Sequence, residues 1–188
     1  IFLSGMMDKE TLAIFGVGAR IFSLMAFGIS AVYAVSLPDM FEAAANEHRA
    51  EFHRQLGEAN LVATGLSLVM FVAILVAGPL ILMLFGPAFS AGAIPLAILS
   101  LILVVRSVLG PGDLVLSIHE HPWSSLPAIV CAMAILVLAN IVLVPMMGLA
   151  GAALAALGAF TVWSVVLWLT ALKTAKTDVS IFPAIARW

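Results

Sequence analysis

The sequence predicts an all-α protein: a polytopic transmembrane helix bundle with five full spans and the remnant of a preceding one. Two observations carry this prediction. Of the 188 residues, 64% are hydrophobic and 10% are charged, whereas soluble domains are about 45–50% apolar and about 25% charged. The apolar residues also gather in long runs, each with the roughly 20 residues that a helix needs to cross about 30 Å of hydrocarbon. We therefore expect residues 1–188 to form a single membrane domain.

Turns and one polar linker divide the apolar residues into five runs. The predicted spans cover residues 11–37, 60–85, 93–118, 126–146 and 149–172, each to within a few residues. Residues 1–7 are too few to cross a membrane, and we expect them to be the end of a preceding helix. The last span opens with glycine and alanine at three- and four-residue spacing, which allows helix backbones to pack closely.

The polar linker between the first two spans covers residues 39–59. Apolar side chains recur there at nearly helical spacing, among them Phe41, Ala44, Phe52 and Leu56. This pattern predicts a short amphipathic helix on the inner membrane surface. A docking site for a cytoplasmic partner is the functional alternative to a solvated connector.

The basic residues predict the orientation, because Lys and Arg collect in short cytoplasmic loops. The linker carries Arg49 and Arg54, and the tail, residues 173–188, carries Lys173, Lys176 and Arg187. Five spans place the linker and the tail on the same side of the membrane. Lys9 is the basic residue at the opposite side. We therefore expect the linker and the C-terminus to be cytoplasmic.

The third span contains the triplet Gly110, Pro111 and Gly112. Proline removes a backbone donor and clashes with the preceding turn, and glycine weakens a helix further. The triplet predicts a bend or a broken turn near the cytoplasmic third of this span. These three residues are candidate hinge residues of a helix that moves between two states, and a static kink is the alternative.

Three ionisable side chains lie within the apolar runs, namely Arg20, Arg106 and Asp113. A charge at membrane depth costs about 2.5–3.5 kcal/mol on insertion scales, so it normally faces a partner or a water-filled cavity. We predict that both arginines line a cavity and bind an anionic substrate, with Asp113 as a further cavity candidate. The planar guanidinium suits phosphate because it donates two parallel hydrogen bonds. An interhelical ion pair or a cap on freed carbonyls is the structural alternative.

Other functions find no support in the sequence. A net charge of −2 excludes a strongly basic nucleic-acid surface, and a single cysteine, Cys131, excludes an intrachain disulfide. His119 and His121 flank Glu120, which is a weak pattern for a metal site. The sequence contains no nucleophile–base constellation and no Gly-rich phosphate loop. We expect no enzymatic activity, no metal and no cofactor.

The order of these features resembles the polysaccharide transporters of the multidrug/oligosaccharidyl-lipid/polysaccharide flippase superfamily. The resemblance rests on an Asn–Pro–Gly-x-x-Gly-Ala-Ala pattern in residues 140–155 and on the Leu-Phe-Gly-Pro-Ala-Phe turn in residues 84–89. It also includes Gly-Ala-Arg at 18–20 and Leu-Pro at 37–38, and it extends over nearly the whole chain.

The resemblance to the O-antigen and exopolysaccharide flippases implies a bundle of about twelve or more helices in two lobes. This chain would be most of the C-terminal lobe, and its partners would be the N-terminal lobe, the bilayer and a lipid-linked oligosaccharide or sugar. The implied function is alternating-access transport of that lipid across the bacterial inner membrane. A drug/cation antiporter of the same superfamily and a non-transporting membrane assembly subunit are the alternatives.

Overall fold

The computed structural model describes residues 9–46 and 48–186, and nearly all of them are helical. This part of the chain forms six α-helices, two short 3-10 helices and no strand. The α-helices are α1 (Lys9–Ala45), α2 (Arg49–Met83), α3 (Ala93–Leu109), α4 (Gly112–Ile118), α5 (Leu126–Thr174) and α6 (Phe182–Ile185). Four of the helical stretches are long and apolar enough to cross a membrane. The expected remnant of a preceding helix, residues 1–7, lies outside the described residues.

Helix α1 continues without a break through Pro38 and ends at Ala45, and α2 begins at Arg49. The prediction of a separate amphipathic helix over 39–59 is therefore wrong, because this stretch consists of the ends of two long helices and the turn between them. Pro38 removes one hydrogen bond of α1, and the turns on either side still hold the helix together. Of the apolar positions in this stretch, Phe52 and Leu56 are buried in the bundle, whereas Phe41 is 47% exposed.

A tight turn joins α2 to α3. Residues 84–86 close it, and a 3-10 helix, Pro87–Gly92, leads into α3. Gly86 has a φ of 127°, a conformation that suits glycine. The predicted end of the second span at residue 85 and the predicted start of the third at 93 agree with these bounds.

The helix break predicted at Gly110–Pro111–Gly112 is present. Helix α3 ends at Leu109 and α4 begins at Gly112. Gly110 has a φ of 80°, and its N–H donates to the carbonyl of Arg106 at 2.9 Å. The N–H of Gly112 donates to the carbonyl of Gly110 at 3.0 Å instead of the carbonyl of Val108, which lies four residues before it. The single predicted span 93–118 is thus two helices with a corner between them.

Helix α5 contains one non-helical residue, Gly148, with φ 56° and ψ −128°. Two helical segments meet there, as the predicted boundaries at 146 and 149 anticipated. A Cβ on Gly151 would overlap the carbonyl oxygen of Leu143. Residues eight apart in a straight helix are about 12 Å apart along its axis. The segments on either side of Gly148 therefore fold toward each other.

Helix α3 lies at the centre of the bundle, in contact with α1, α2 and α5. Its buried side chains include Leu96, Leu99, Ile102 and Leu103. The outward faces of the long helices are apolar too, since only 11–39% of each candidate span is buried within the chain. Phe27 and Val76, for example, are each 75% exposed. Such surfaces are what a lipid environment requires, and the chain has the features of a membrane protein.

Candidate functional site

A cavity of about 250 Å³ lies between α1 on one side and α3 and α4 on the other. Arg106 and Asp113 both line it, together with Gly110 and Pro111 of the helix break. Its α1 wall includes Tyr33. Two of the three ionisable residues predicted from the sequence are therefore brought together at the predicted break.

The guanidinium of Arg106 lies over the Trp163 ring, with its carbon 4.8 Å from the ring centroid. Arg106 is in the last turn of α3, where the negative end of the helix dipole favours a cation. It does not form an ion pair with any carboxylate in the part of the chain that the structure describes. The contact with the ring gives the guanidinium no oxygen acceptor, so its N–H groups remain available as donors.

Asp113 lies in the first turn of α4 and is exposed. It lines the same cavity as Arg106, and the two side chains are not within ion-pair distance. The corner at Gly110 thus places both charges on one cavity without joining them. A cation and an anion that remain separate at one cavity are both available to a ligand.

Arg20 does not line this cavity and is exposed. Leu24 and Phe27, at helical spacing from Arg20, are 73% and 75% exposed, so Arg20 belongs to an outward face of α1. The expectation that Arg20 and Arg106 share one cavity is wrong. A run of eighteen residues such as 20–37 makes about five turns, and the sequence alone did not show which turn faced α3.

Two backbone carbonyls at the cavity lack their usual helical donors. Pro38 and Pro111 have no N–H to give to the carbonyls four residues before them, which belong to Ala34 and Ser107. Both Ala34 and Ser107 line the cavity. The Ser107 hydroxyl lies 2.8 Å from the hydroxyl of Ser67, which extends the polar surface toward α2. Two residues whose carbonyls lack a helical donor therefore belong to the cavity wall.

A buried polar chain runs from the cavity wall to the C-terminal segment. The Tyr33 hydroxyl donates to Asn60 Oδ1 at 3.1 Å, and Asn60 Nδ2 donates to the carbonyl of Val179 at 2.8 Å. Asn60 and Val179 are fully buried. The C-terminal segment is thus part of the bundle, whereas the sequence predicted only a polar tail.

The C-terminal segment also supplies a hydrogen-bond donor at the helix break. The N–H of Ile181 donates to the carbonyl of Val108 at 3.0 Å, which is the acceptor that Gly112 leaves free. The backbone of Val179 passes so close to Gly110 that a Cβ there would overlap its carbonyl oxygen. Gly110 is therefore required both for its backbone conformation and for the space it leaves.

Asp178 anchors this segment to the end of α5. Its Oδ1 accepts hydrogen bonds from the Trp168 indole at 2.8 Å and from the Ser180 hydroxyl at 2.7 Å. Burial raises the pKa of Asp178, and the hydrogen bonds from Ser180 and Trp168 outweigh burial and hold the pKa below its ordinary value.

Sequence reasoning missed Trp163 and Tyr33 as residues of the site. Neither Trp163 nor Tyr33, the one tyrosine in the chain, was singled out. The sequence separation between Arg106 and Trp163 leaves no periodic signal that could pair them. Tyr33 had a weak signal, because a phenolic hydroxyl inside a predicted span needs a partner.

Comparison with protein-family models, with curated proteins and with solved structures finds no match to this chain.

Proposed function

We propose that this chain is the C-terminal lobe of a flippase that moves a lipid-linked saccharide across the bacterial inner membrane by alternating access. The observation that carries the proposal is Arg106, stacked on Trp163 at 4.8 Å and lining a cavity beside a broken helix. Its free N–H groups suit the phosphate or pyrophosphate that joins a saccharide to its lipid. The order of motifs that resembles polysaccharide transporters is the second support.

The proposed topology has five crossings, with the turn between α1 and α2 and the C-terminal segment in the cytoplasm. A continuous helix of the length of α5 would extend about 74 Å at 1.5 Å per residue, far more than the ~30 Å hydrocarbon core. Two crossings that meet at Gly148 resolve this mismatch. The close approach of Gly151 to Leu143 supports such a reversal.

The proposed substrate binds by its charged group, while its lipid tail stays in the bilayer. The cavity volume of about 250 Å³ is below the roughly 300–1,000 Å³ of ordinary ligand sites. This lobe therefore provides one wall, and we propose that an N-terminal lobe of the same protein completes the site. The apolar outward faces of the long helices leave a path for a polyprenyl chain.

Alternating access needs a part of the protein that moves. We propose that the corner at Gly110, Pro111 and Gly112 is the hinge of this motion. A helix already broken there can change the angle between α3 and α4 at little cost to its hydrogen bonds. Arg106 and Asp113 lie on opposite sides of the corner, so such a motion changes the distance between them. The hinge role of the triplet stays a prediction.

A cation antiporter of the same superfamily is the second candidate. Asp113 and the carbonyls of Ala34 and Ser107 at the same cavity favour it, because carboxylate and unwound-backbone oxygens coordinate Na⁺ or H⁺ in transporters. A non-transporting assembly subunit is the third candidate, and it has no need for a cavity with separated charges.

The test is export of surface polysaccharide from cells that lack the complete gene and carry a variant. Arg106→Gln should reduce export roughly tenfold or more, since a charge-assisted hydrogen bond contributes about 1.5–3 kcal/mol. Arg106→Lys should restore part of it, because lysine keeps the charge without the fork. Arg20→Gln, outside the cavity, is the matched control and should export normally.

The membrane level of each variant must be measured alongside export. Normal export by Arg106→Gln would contradict the proposal. Loss of export with Asp113→Asn but not with Arg106→Gln would favour the antiporter. Normal export by both variants would favour the assembly subunit.

A further inference from the structure

A second cavity, of about 280 Å³, lies at the end of the bundle where α2 begins and α4 ends. The segment after α5 closes its third side. We call it the basic cavity, and its principal lining residues are Arg49, Phe52, His53, His119, Lys176 and Thr177. Neither the proposed transport cavity nor the helix break contributes to it. It is therefore a separate site, independent of the proposed function.

The basic cavity has an excess of positive charge. Arg49 and Lys176 carry positive charges, and the imidazoles of His53 and His119 line the same cavity. No carboxylate belongs to its lining, as far as residues 9–46 and 48–186 are concerned. The nearby carboxylate of Asp178 interacts with His53 electrostatically. Its one negative charge offsets only part of the two positive charges of Arg49 and Lys176.

The neighbouring Arg54, in contrast to the cations of the basic cavity, forms ion pairs. Its guanidinium contacts Glu51 at 2.6 Å and Glu58 at 2.8 Å. Arg49 and Lys176 have no such ion pair with any residue that the structure describes. Two cations that share one concave surface without a carboxylate partner repel each other, and a bound anion would relieve that repulsion.

The walls of the basic cavity are fixed by specific contacts. His119 Nδ1 donates to the carbonyl of Val115 at 2.9 Å, and its ring meets the Phe52 ring edge to face at 5.4 Å. Lys176 has a φ of 51°, a left-handed conformation that is unfavourable for lysine. The N–H of the next residue, Thr177, donates to the carbonyl of Ala171. The Lys176 backbone is held in this strained form by its neighbours, as residues of binding sites often are.

We propose that the basic cavity binds a phosphate group. Arg49 provides a fork that matches two phosphate oxygens, and Lys176 provides a point charge at the same cavity. Because Nδ1 of His119 donates to Val115, its Nε2 is an acceptor and can receive a hydrogen bond from a hydroxyl of the ligand, the P–OH of inorganic phosphate or the glycerol hydroxyl of phosphatidylglycerol. The phosphate comes either from the headgroup of an anionic lipid or from a soluble phosphate, and the recognition chemistry is the same.

The experiment uses the full chain in a neutral detergent with two probes, inorganic phosphate and a short-chain phosphatidylglycerol. Binding is measured by native mass spectrometry for the lipid and by the thermal denaturation midpoint for both probes. The test variant combines Arg49→Gln with Lys176→Asn, since asparagine tolerates the left-handed conformation. Lys173→Gln is the matched control, because Lys173 is an exposed cation in the last turn of α5 that does not line the cavity.

We expect the double variant to bind at least roughly tenfold more weakly than the unmodified chain and Lys173→Gln. Arg49→Lys alone should bind with an intermediate affinity, and it provides a milder variant if the double variant unfolds. Saturable binding of phosphate identifies a soluble source, and binding of phosphatidylglycerol alone identifies a lipid headgroup. Equal binding by the double variant and the unmodified chain would overturn the proposal, and so would an equal loss in Lys173→Gln.

Discussion

The guanidinium of Arg106 stacks on the indole of Trp163 with 4.8 Å between its carbon and the ring centroid. A cation–π contact contributes about 0.5–2 kcal/mol, depending on how far it is shielded from water, and an arginine at the centre of a membrane helix costs roughly 2.5–3.5 kcal/mol. Trp163 therefore offsets part of the cost of placing this charge, and it does so without providing a carboxylate partner. A carboxylate partner would have neutralised the charge that a substrate needs.

Alanine at Gly110 should destabilise the bundle more than alanine at any other glycine with an unusual backbone. Gly110→Ala introduces a Cβ both at a φ of 80° and onto the Val179 carbonyl. Gly148→Ala meets no atom within 4 Å and adds only the backbone strain of φ 56° and ψ −128°, which costs on the order of 1–3 kcal/mol. Gly158→Ala, in open helical space, is the control. Denaturation midpoints in detergent should fall in the order Gly158→Ala, Gly148→Ala, Gly110→Ala, and a normal midpoint for Gly110→Ala would contradict the packing described.

Asn60 should be the residue on which docking of the C-terminal segment depends most. Asn60→Leu leaves the buried Val179 carbonyl without its donor, at a cost of about 1–3 kcal/mol. Tyr33→Phe removes only the hydrogen bond to Asn60 Oδ1 and should cost less. Amide hydrogen exchange over residues 175–186 should accelerate strongly in Asn60→Leu and weakly in Tyr33→Phe. Unchanged exchange in both variants would show that other contacts hold the segment.

Acid should loosen the same segment through Asp178. Its pKa is lower in the folded protein than in the unfolded chain, so its contribution to stability is complete above the unfolded value of about 4. That contribution disappears as the pH falls through the folded value, because protonation weakens the hydrogen bonds from Ser180 and Trp168. The protection factors of residues 175–181, which correct the exchange rates for the intrinsic pH dependence of amide exchange, should therefore fall on acidification in the unmodified chain. In Asp178→Asn they should be lower at neutral pH and nearly independent of pH over the same range.

The sequence correctly predicted features that depend only on residues close together in the chain. Proline next to glycine predicted the corner between α3 and α4, and the Pro–Gly pattern predicted the interruption of α5 at Gly148. The length and composition of the apolar runs predicted the long helices. Local rules also produced one error, because Pro38 was taken as the end of a span that α1 continues through.

The rest depends on contacts between residues that are far apart in the chain. The contact between Trp163 and Arg106 and the hydrogen bond from Asn60 to Val179 cannot be predicted from the periodicity or spacing of residues in the sequence. The segment after α5 carries Lys176, Thr177 and Asp178 in succession, which is typical of a solvated tail. This segment is buried because of the corner at Gly110. The corner leaves the Val108 carbonyl without a helical donor and leaves space beside Gly110, and the segment supplies the donor and fills the space.

Five crossings predict a distinct labelling pattern for single cysteines in a Cys131→Ser background. Met147→Cys should react with a membrane-impermeant maleimide outside intact cells, since Met147 is 50% exposed beside the reversal. Ala45→Cys and Thr174→Cys, both at exposed positions, should react only after lysis. Thr177 is buried and is a poorer reporter. An unreactive Met147→Cys on both sides, or labelling of Ala45→Cys from outside, would contradict this topology.

The most direct measurement is the initial rate at which a fluorescent lipid-linked saccharide crosses the membrane of proteoliposomes that contain the complete protein. The account predicts that Arg106→Gln slows this rate by roughly tenfold or more, and that Arg106→Lys has an intermediate rate. The inhibition of transport by free pyrophosphate should weaken in parallel, because the same guanidinium binds both. An Arg106→Gln protein that transports at the unmodified rate, with unchanged sensitivity to pyrophosphate, would contradict the central claim that Arg106 binds the substrate phosphate.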